Sequence, residues 1–187
     1  MEGLTFTENF ILEEYKALWD YYKKTLDERK KLFDWFLLII TLPSSAIGYL
    51  IFNQDQNISI PNIVSALLLM LIYLIGLSLF ITYTYESRNA DNYLKAIRRI
   101  RNHFRKSDKK FRDLLIIDKS RQKNSHIFGK FDIIKLSRSF VFILINSATF
   151  SSSIILFANS RNLILLIVCF LFSFTIHLII FSRVYKK

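Results

Sequence analysis

Gln56–Tyr85 reads QNISIPNIVSALLLMLIYLIGLSLFITYTY, thirty consecutive residues without a charged side chain. A helix needs about 20 apolar residues to cross the hydrocarbon of a bilayer, and this stretch has more than that. Three further runs share the property: Trp35–Gln54, Ser139–Ser160 and Asn162–Ser182. Their apolar cores are Leu32–Phe52, Ile63–Tyr85, Phe140–Phe157 and Leu163–Phe181. Four charge-free runs of this length do not fit the buried helices of a soluble globule. Backbone polar groups in hydrocarbon must bond within their own segment, so the runs are read as helices. The expected fold is all-α: an integral membrane four-helix protein built as two transmembrane hairpins.

Composition agrees with long helices. Phe (18) and Tyr (9) are abundant, whereas Gly (4) and Pro (2) are scarce, which disfavours a turn-rich β fold. The net charge is +11, with 26 Lys and Arg against 15 Asp and Glu. A basic balance of that size suits anionic lipid headgroups or nucleic acid. The lone cysteine, Cys169, excludes an intrachain disulfide. The first 31 residues have the mixed charge of a cytoplasmic segment rather than a secretory signal, so the first span is expected to act as its own insertion signal.

Charge also sets the orientation. Residues 1–31 carry six Lys and Arg, residues 86–138 carry sixteen, and the tail adds Arg183, Lys186 and Lys187. The connections at Asn53–Pro61 and Ala158–Asn162 hold only Asp55 and Arg161. The positive-inside rule therefore places both termini and the middle segment in the cytoplasm, as expected of a multi-pass inner-membrane protein. Four parts follow: 1–31, a cytoplasmic amphipathic helix; 32–85, the first hairpin; 86–138, a basic cytoplasmic helical segment; 139–187, the second hairpin and a short tail.

In the first part, Thr5-Phe6-Thr7-Glu8 fits a capping box. Ile11, Tyr15, Leu18, Tyr22 and Leu26 then form one apolar stripe. In the third part, Tyr93, Ile97, Ile100 and Phe104 form a second stripe beside Arg98, Arg99, Arg101 and Arg105. The two stripes are expected to pack together beneath the membrane.

The basic binding face is assigned to Arg98, Arg99, Arg101, His103, Arg105, Lys109, Lys110 and Arg112. Its plain role is contact with anionic lipid, each cation near the surface contributing about 1 kcal/mol. Nucleic acid, a nucleotide or an acidic partner protein are the alternatives, although no base-stacking platform accompanies the charge.

Within the spans, His177 is the one ionisable side chain deep in an apolar run, and such residues are functional candidates. Counting from the charged flanks puts Asn146 at a similar depth, within reach of the imidazole. The pair is read either as hydrogen-bonded packing or as a pore-lining gate. Around Asn146, the residues Ser147, Thr149 and Ser151 offer small polar contacts between helices or the wall of a water-filled path. Pro43, followed by Ser44 and Ser45, interrupts the first span as a hinge or a static kink.

No Cys/His metal spacing, phosphate loop or nucleophile elbow is present in the sequence. No catalytic residue, metal or cofactor is expected, and the chain is read as a non-enzyme. Asp34 lies at the boundary of the first span, and no span carries a carboxylate deeper in its apolar core, against the pattern of an ion-coupled transporter.

The helix Phe6–Lys31 feeding the first span, and YLKAIRRIRNHF at Tyr93–Phe104 after the second, carry a resemblance. The plan resembles small four-helix membrane effectors and accessories of bacterial antiphage systems. These include the accessory membrane proteins of type VI-B CRISPR loci and effectors of nucleotide-signalling defence. The resemblance implies an oligomeric, channel-like protein that perturbs membrane permeability on a cytoplasmic signal. Arg98 and His103 also echo the Arg-x4-His pattern of HEPN ribonucleases, where arginine holds phosphate and histidine transfers protons. Positions five apart point about 140° away from each other on a regular helix, so that chemistry needs a helix end between them. The alternative function is a membrane-anchored adapter acting through the basic segment.

Overall fold

The computed structural model describes residues 6–52, 62–107, 133–159 and 162–186. Helix α1 is Phe6–Phe52, α2 is Asn62–Ser107, α3 is Ile133–Phe157 and α4 is Leu163–Lys186. No strand occurs among the described residues. Helices α2, α3 and α4 are each long and apolar enough to cross a membrane. The expected first span lies on α1, and its side chains at 44, 47 and 50–52 fall outside the described residues. So does Thr5 of the expected capping box. With 47 and 46 residues, α1 and α2 have more than twice the length a bilayer requires.

The chain divides into two compact units. One comprises Met1–Glu28 and Glu86–Lys135, the other Arg29–Tyr85 and Leu136–Lys187. In the first unit, Ile11, Tyr15, Leu18, Tyr22 and Leu26 are half-buried along α1, and Ala90 and Ile97 are buried on α2. The ring contact between these helices comes from Tyr21, stacked on Tyr93 with centroids 5.9 Å apart.

The second unit has an aromatic centre. Phe142 of α3 meets Phe36 at 3.8 Å, Tyr83 at 5.0 Å, Phe33 at 5.5 Å and Phe80 at 6.0 Å between centroids. Ile40, Leu69, Ile72 and Ile143 extend this core. On α3 the buried positions Ser139, Phe142, Asn146, Thr149 and Ser153 recur at alternating steps of three and four, the repeat of a helix packed on its neighbours.

The outer surface of this unit is the more apolar one. Leu163, Ile164, Ile167, Val168, Leu171 and Phe172 are exposed on α4, while Ser173 and His177 are buried. In water that distribution would be inverted. It suits a bundle whose surroundings are hydrocarbon, where polar side chains join helices and apolar ones face lipid.

Hydroxyls along the helices mostly bond their own backbone. Thr84 Oγ1 donates to Phe80 O at 2.7 Å, Thr149 Oγ1 to Ile145 O at 3.0 Å and Thr175 Oγ1 to Leu171 O at 2.7 Å. Helix α1 passes through Pro43 without ending. Proline withholds the donor that the carbonyl of Ile39 needs. Ser45 bonds the carbonyl of Leu42 instead, at 2.9 Å. At the α3–α4 turn, Asn159 takes φ 47°, a left-handed conformation that asparagine tolerates. Its Oδ1 accepts from Asn62 Nδ2 at 3.1 Å, tying the start of α2 to the turn. Asn162 Oδ1 then accepts from the backbone of Ile164 at 2.9 Å and caps α4.

Phe142→Ala should lower the stability of the detergent-solubilised protein by about 3–5 kcal/mol through lost contacts and a residual cavity. Phe140→Ala, at an exposed position on the same helix, should change it little. Unfolding measured in detergent checks both.

Candidate functional site

The polar residues singled out in the sequence come together inside the second unit. Asn146, Ser147 and His177 are 0% exposed, and Thr149 and Ser151 are also buried. Asn146 Nδ2 and His177 Nε2 lie 2.9 Å apart. His177 Nδ1 is 2.8 Å from the carbonyl oxygen of Ser173, one turn back on α4. A carbonyl only accepts, so Nδ1 carries the hydrogen. Nε2 is then the lone-pair nitrogen and accepts from the Asn146 amide. The imidazole is walled by Phe80 at 5.1 Å and Tyr73 at 6.1 Å between centroids. Tyr73 also meets Phe150 of α3 at 4.8 Å.

Several buried polar atoms in this unit have no hydrogen-bond partner among the described residues: Asn146 Oδ1, Ser139 Oγ, Ser147 Oγ and Ser173 Oγ. Leaving a buried polar group unsatisfied costs about 1–3 kcal/mol. A bundle designed only to pack would place apolar side chains at such positions. One further cross-helix bond runs from Ser153 Oγ to the carbonyl of Ala66 at 2.8 Å, and Ser65 beside it is buried as well. Polar groups therefore recur along the interior from Ser139 to Ser153 on α3, with Ser173 and His177 supplied by α4.

Gly76 was not apparent as part of this site from sequence. A Cβ placed there would overlap Asn146 Oδ1 and crowd Ile40 Cδ1. The missing side chain is what lets α2 pass this close to the Asn146 amide. A sole glycine among large apolar residues was the available signal, but nothing in the sequence names its neighbour.

On the C-terminal stretch of α2, Arg98, Arg99 and His103 are exposed and Arg101 is half-buried. Helix α2 continues unbroken through Arg98 and His103 to Ser107, so the backbone sets these two on different faces. The side chain of Arg105, and Lys109, Lys110 and Arg112 entirely, lie outside the described residues. Among the described residues no three His, Cys, Asp or Glu side chains gather as a metal site. Comparison with family models, curated proteins and solved structures returned no match.

Gly76→Ala should destabilise the protein and disturb the Asn146–His177 contact. Gly48→Ala serves as the control, because a Cβ at Gly48 meets nothing within 4 Å. That change should be neutral or stabilising by up to about 1 kcal/mol. Melting temperatures of the two variants in one detergent make the comparison.

Proposed function

We propose that this chain is a four-span inner-membrane protein, with both termini and residues 86–138 in the cytoplasm. It acts by changing membrane permeability along the polar seam inside its own bundle. One observation carries the reading: α4 turns Ser173 and His177 inward and keeps leucine, isoleucine, valine and phenylalanine outside. Unpartnered hydroxyls and an amide oxygen along the same interior are tolerable where water or protons enter during function. The packed arrangement is the closed state, since Asn146 and His177 have no exposed surface. Opening requires the helices to part. Helices α1 and α2 each run unbroken from a charged stretch into an apolar one, so a signal received in the cytoplasm has a continuous helix to act through.

Homo-oligomerisation through the exposed apolar faces belongs to the same proposal, as does an anionic lipid surface around the basic flanks. The setting in antiphage defence rests on the resemblance of plan alone, and the gene neighbourhood tests it. A second reading, an adapter for nucleic acid, nucleotide or an acidic protein, is favoured by the exposure of Arg98 and Arg99. Reversing those two charges should then abolish biological function with liposome flux unchanged.

Flux through reconstituted liposomes tests the seam. The wild-type chain should dissipate a pH gradient slowly. Asn146→Ala removes the bond that holds the seam shut. Intramembrane hydrogen bonds average about 0.6 kcal/mol, so the leak should rise roughly threefold or more. Adding His177→Leu should return it towards the wild-type level. Equal leak in wild type, both variants and protein-free vesicles would count against a path through the seam.

A further inference from the structure

Arg29 is the only charged residue among the buried side chains described, at 9% exposed. No carboxylate pairs with it among the described residues. Its guanidinium lies over the ring of Tyr83, 5.3 Å from the centroid, and Nη2 donates to the Tyr83 hydroxyl at a long 3.3 Å. Its Nε has no partner.

A second guanidinium belongs to the same aromatic cluster. Arg138 of α3 sits over Phe33 of α1, 5.6 Å from the centroid. Phe33 and Tyr83 both contact Phe142. Arg29 precedes Phe33 by four residues, and Arg138 precedes Phe142 by four. Two parallel registers thus bring two cations to one end of the aromatic core, each one turn before the rings that touch.

Among the described residues no counter-charge accompanies this arrangement. Ring faces attract cations but offset only part of the cost of burying one. Like charges on a shared cluster repel, and the repulsion grows away from water. Arg29 Nε is buried without a partner, and the fork of donors on a guanidinium matches a tetrahedral oxyanion. Both arginines also sit within three residues of the apolar cores Leu32–Phe52 and Phe140–Phe157, the depth at which phospholipid phosphates lie.

We propose that Arg29 and Arg138, with the Tyr83 hydroxyl, form a binding site for a phosphate group. The phosphate belongs either to an anionic lipid headgroup or to a free phosphate compound. The lipid source rests on the membrane reading above, whereas the free-phosphate source does not.

The test is the thermal stability of the purified full chain in a neutral detergent. Its arms are added phosphatidylglycerol, phosphatidylcholine as the net-neutral lipid control, inorganic phosphate, and sodium chloride at matched ionic strength. We expect phosphatidylglycerol or inorganic phosphate to raise the melting temperature in a saturable way. Which of them does so identifies the source. Arg29→Gln should weaken the apparent affinity about tenfold or more, the range set by loss of a charge-assisted bond. Arg138→Gln should weaken it less. Arg29→Lys keeps the charge but loses the fork, and should recover little. Arg183→Gln, an exposed control, should bind as wild type. Should Arg29→Gln fail to fold, the Lys and Arg138 variants carry the comparison. Equal stabilisation of every variant, or a response matched by sodium chloride, overturns the site. The membrane reading is judged separately by whether the chain stays dispersed without detergent.

Discussion

Hydrocarbon outside the bundle governs what can be inside it. Between helices that already lie in lipid, burying apolar surface gains little, because the lipid tails are as apolar as leucine. Association must come from close packing and from polar contacts across helices. The second unit uses both. Phe142 draws rings from α1 and α2 around itself, and Asn146, Ser153 and His177 provide bonds between helices. Gly76 links the two, since its bare Cα admits the Asn146 amide that holds the imidazole.

Not every polar group in the interior has the same standing. Threonines bonded to a carbonyl one turn back are neutral fixtures of the helix and say little about function. Asn146 and His177 reach across to another helix and leave an amide oxygen unmatched. A donor and an acceptor held in a fixed tautomer, surrounded by rings, form a latch that either stays shut or opens as a unit. That distinction is why the seam, rather than the more numerous hydroxyls, bears the functional proposal.

Much of the helical layout could be read from sequence because absence of charge over twenty or more residues is an unambiguous signal. The Asn146–His177 meeting was also legible, since depth in a membrane can be counted from charged flanks. Other features depend on which faces turn toward each other, and linear spacing does not give that. Tyr22 lies on the apolar stripe of α1, yet Tyr21 makes the ring contact with Tyr93. Arg29 reads as one cation among six in a polar prefix, and only the approach of Tyr83, 54 positions away, reveals it as buried. Gly76 carries no polar label at all. Beside Pro43, Ser45 bonds the carbonyl of Leu42 and not that of Ile39, a choice of acceptor that spacing does not give.

The central claim is that the polar edge of α4 faces protein and its apolar edge faces lipid. Spin labels placed singly at 172, 173, 177 and 179 in a bilayer-embedded sample measure this directly through relaxation by oxygen, which concentrates in lipid, and by a water-soluble nickel complex. Labels at Phe172 and Ile179 should respond strongly to oxygen, and those at Ser173 and His177 weakly to both reagents. Strong oxygen relaxation at 173 and 177 with protection at 172 and 179, or uniform nickel accessibility at all four, would contradict the account.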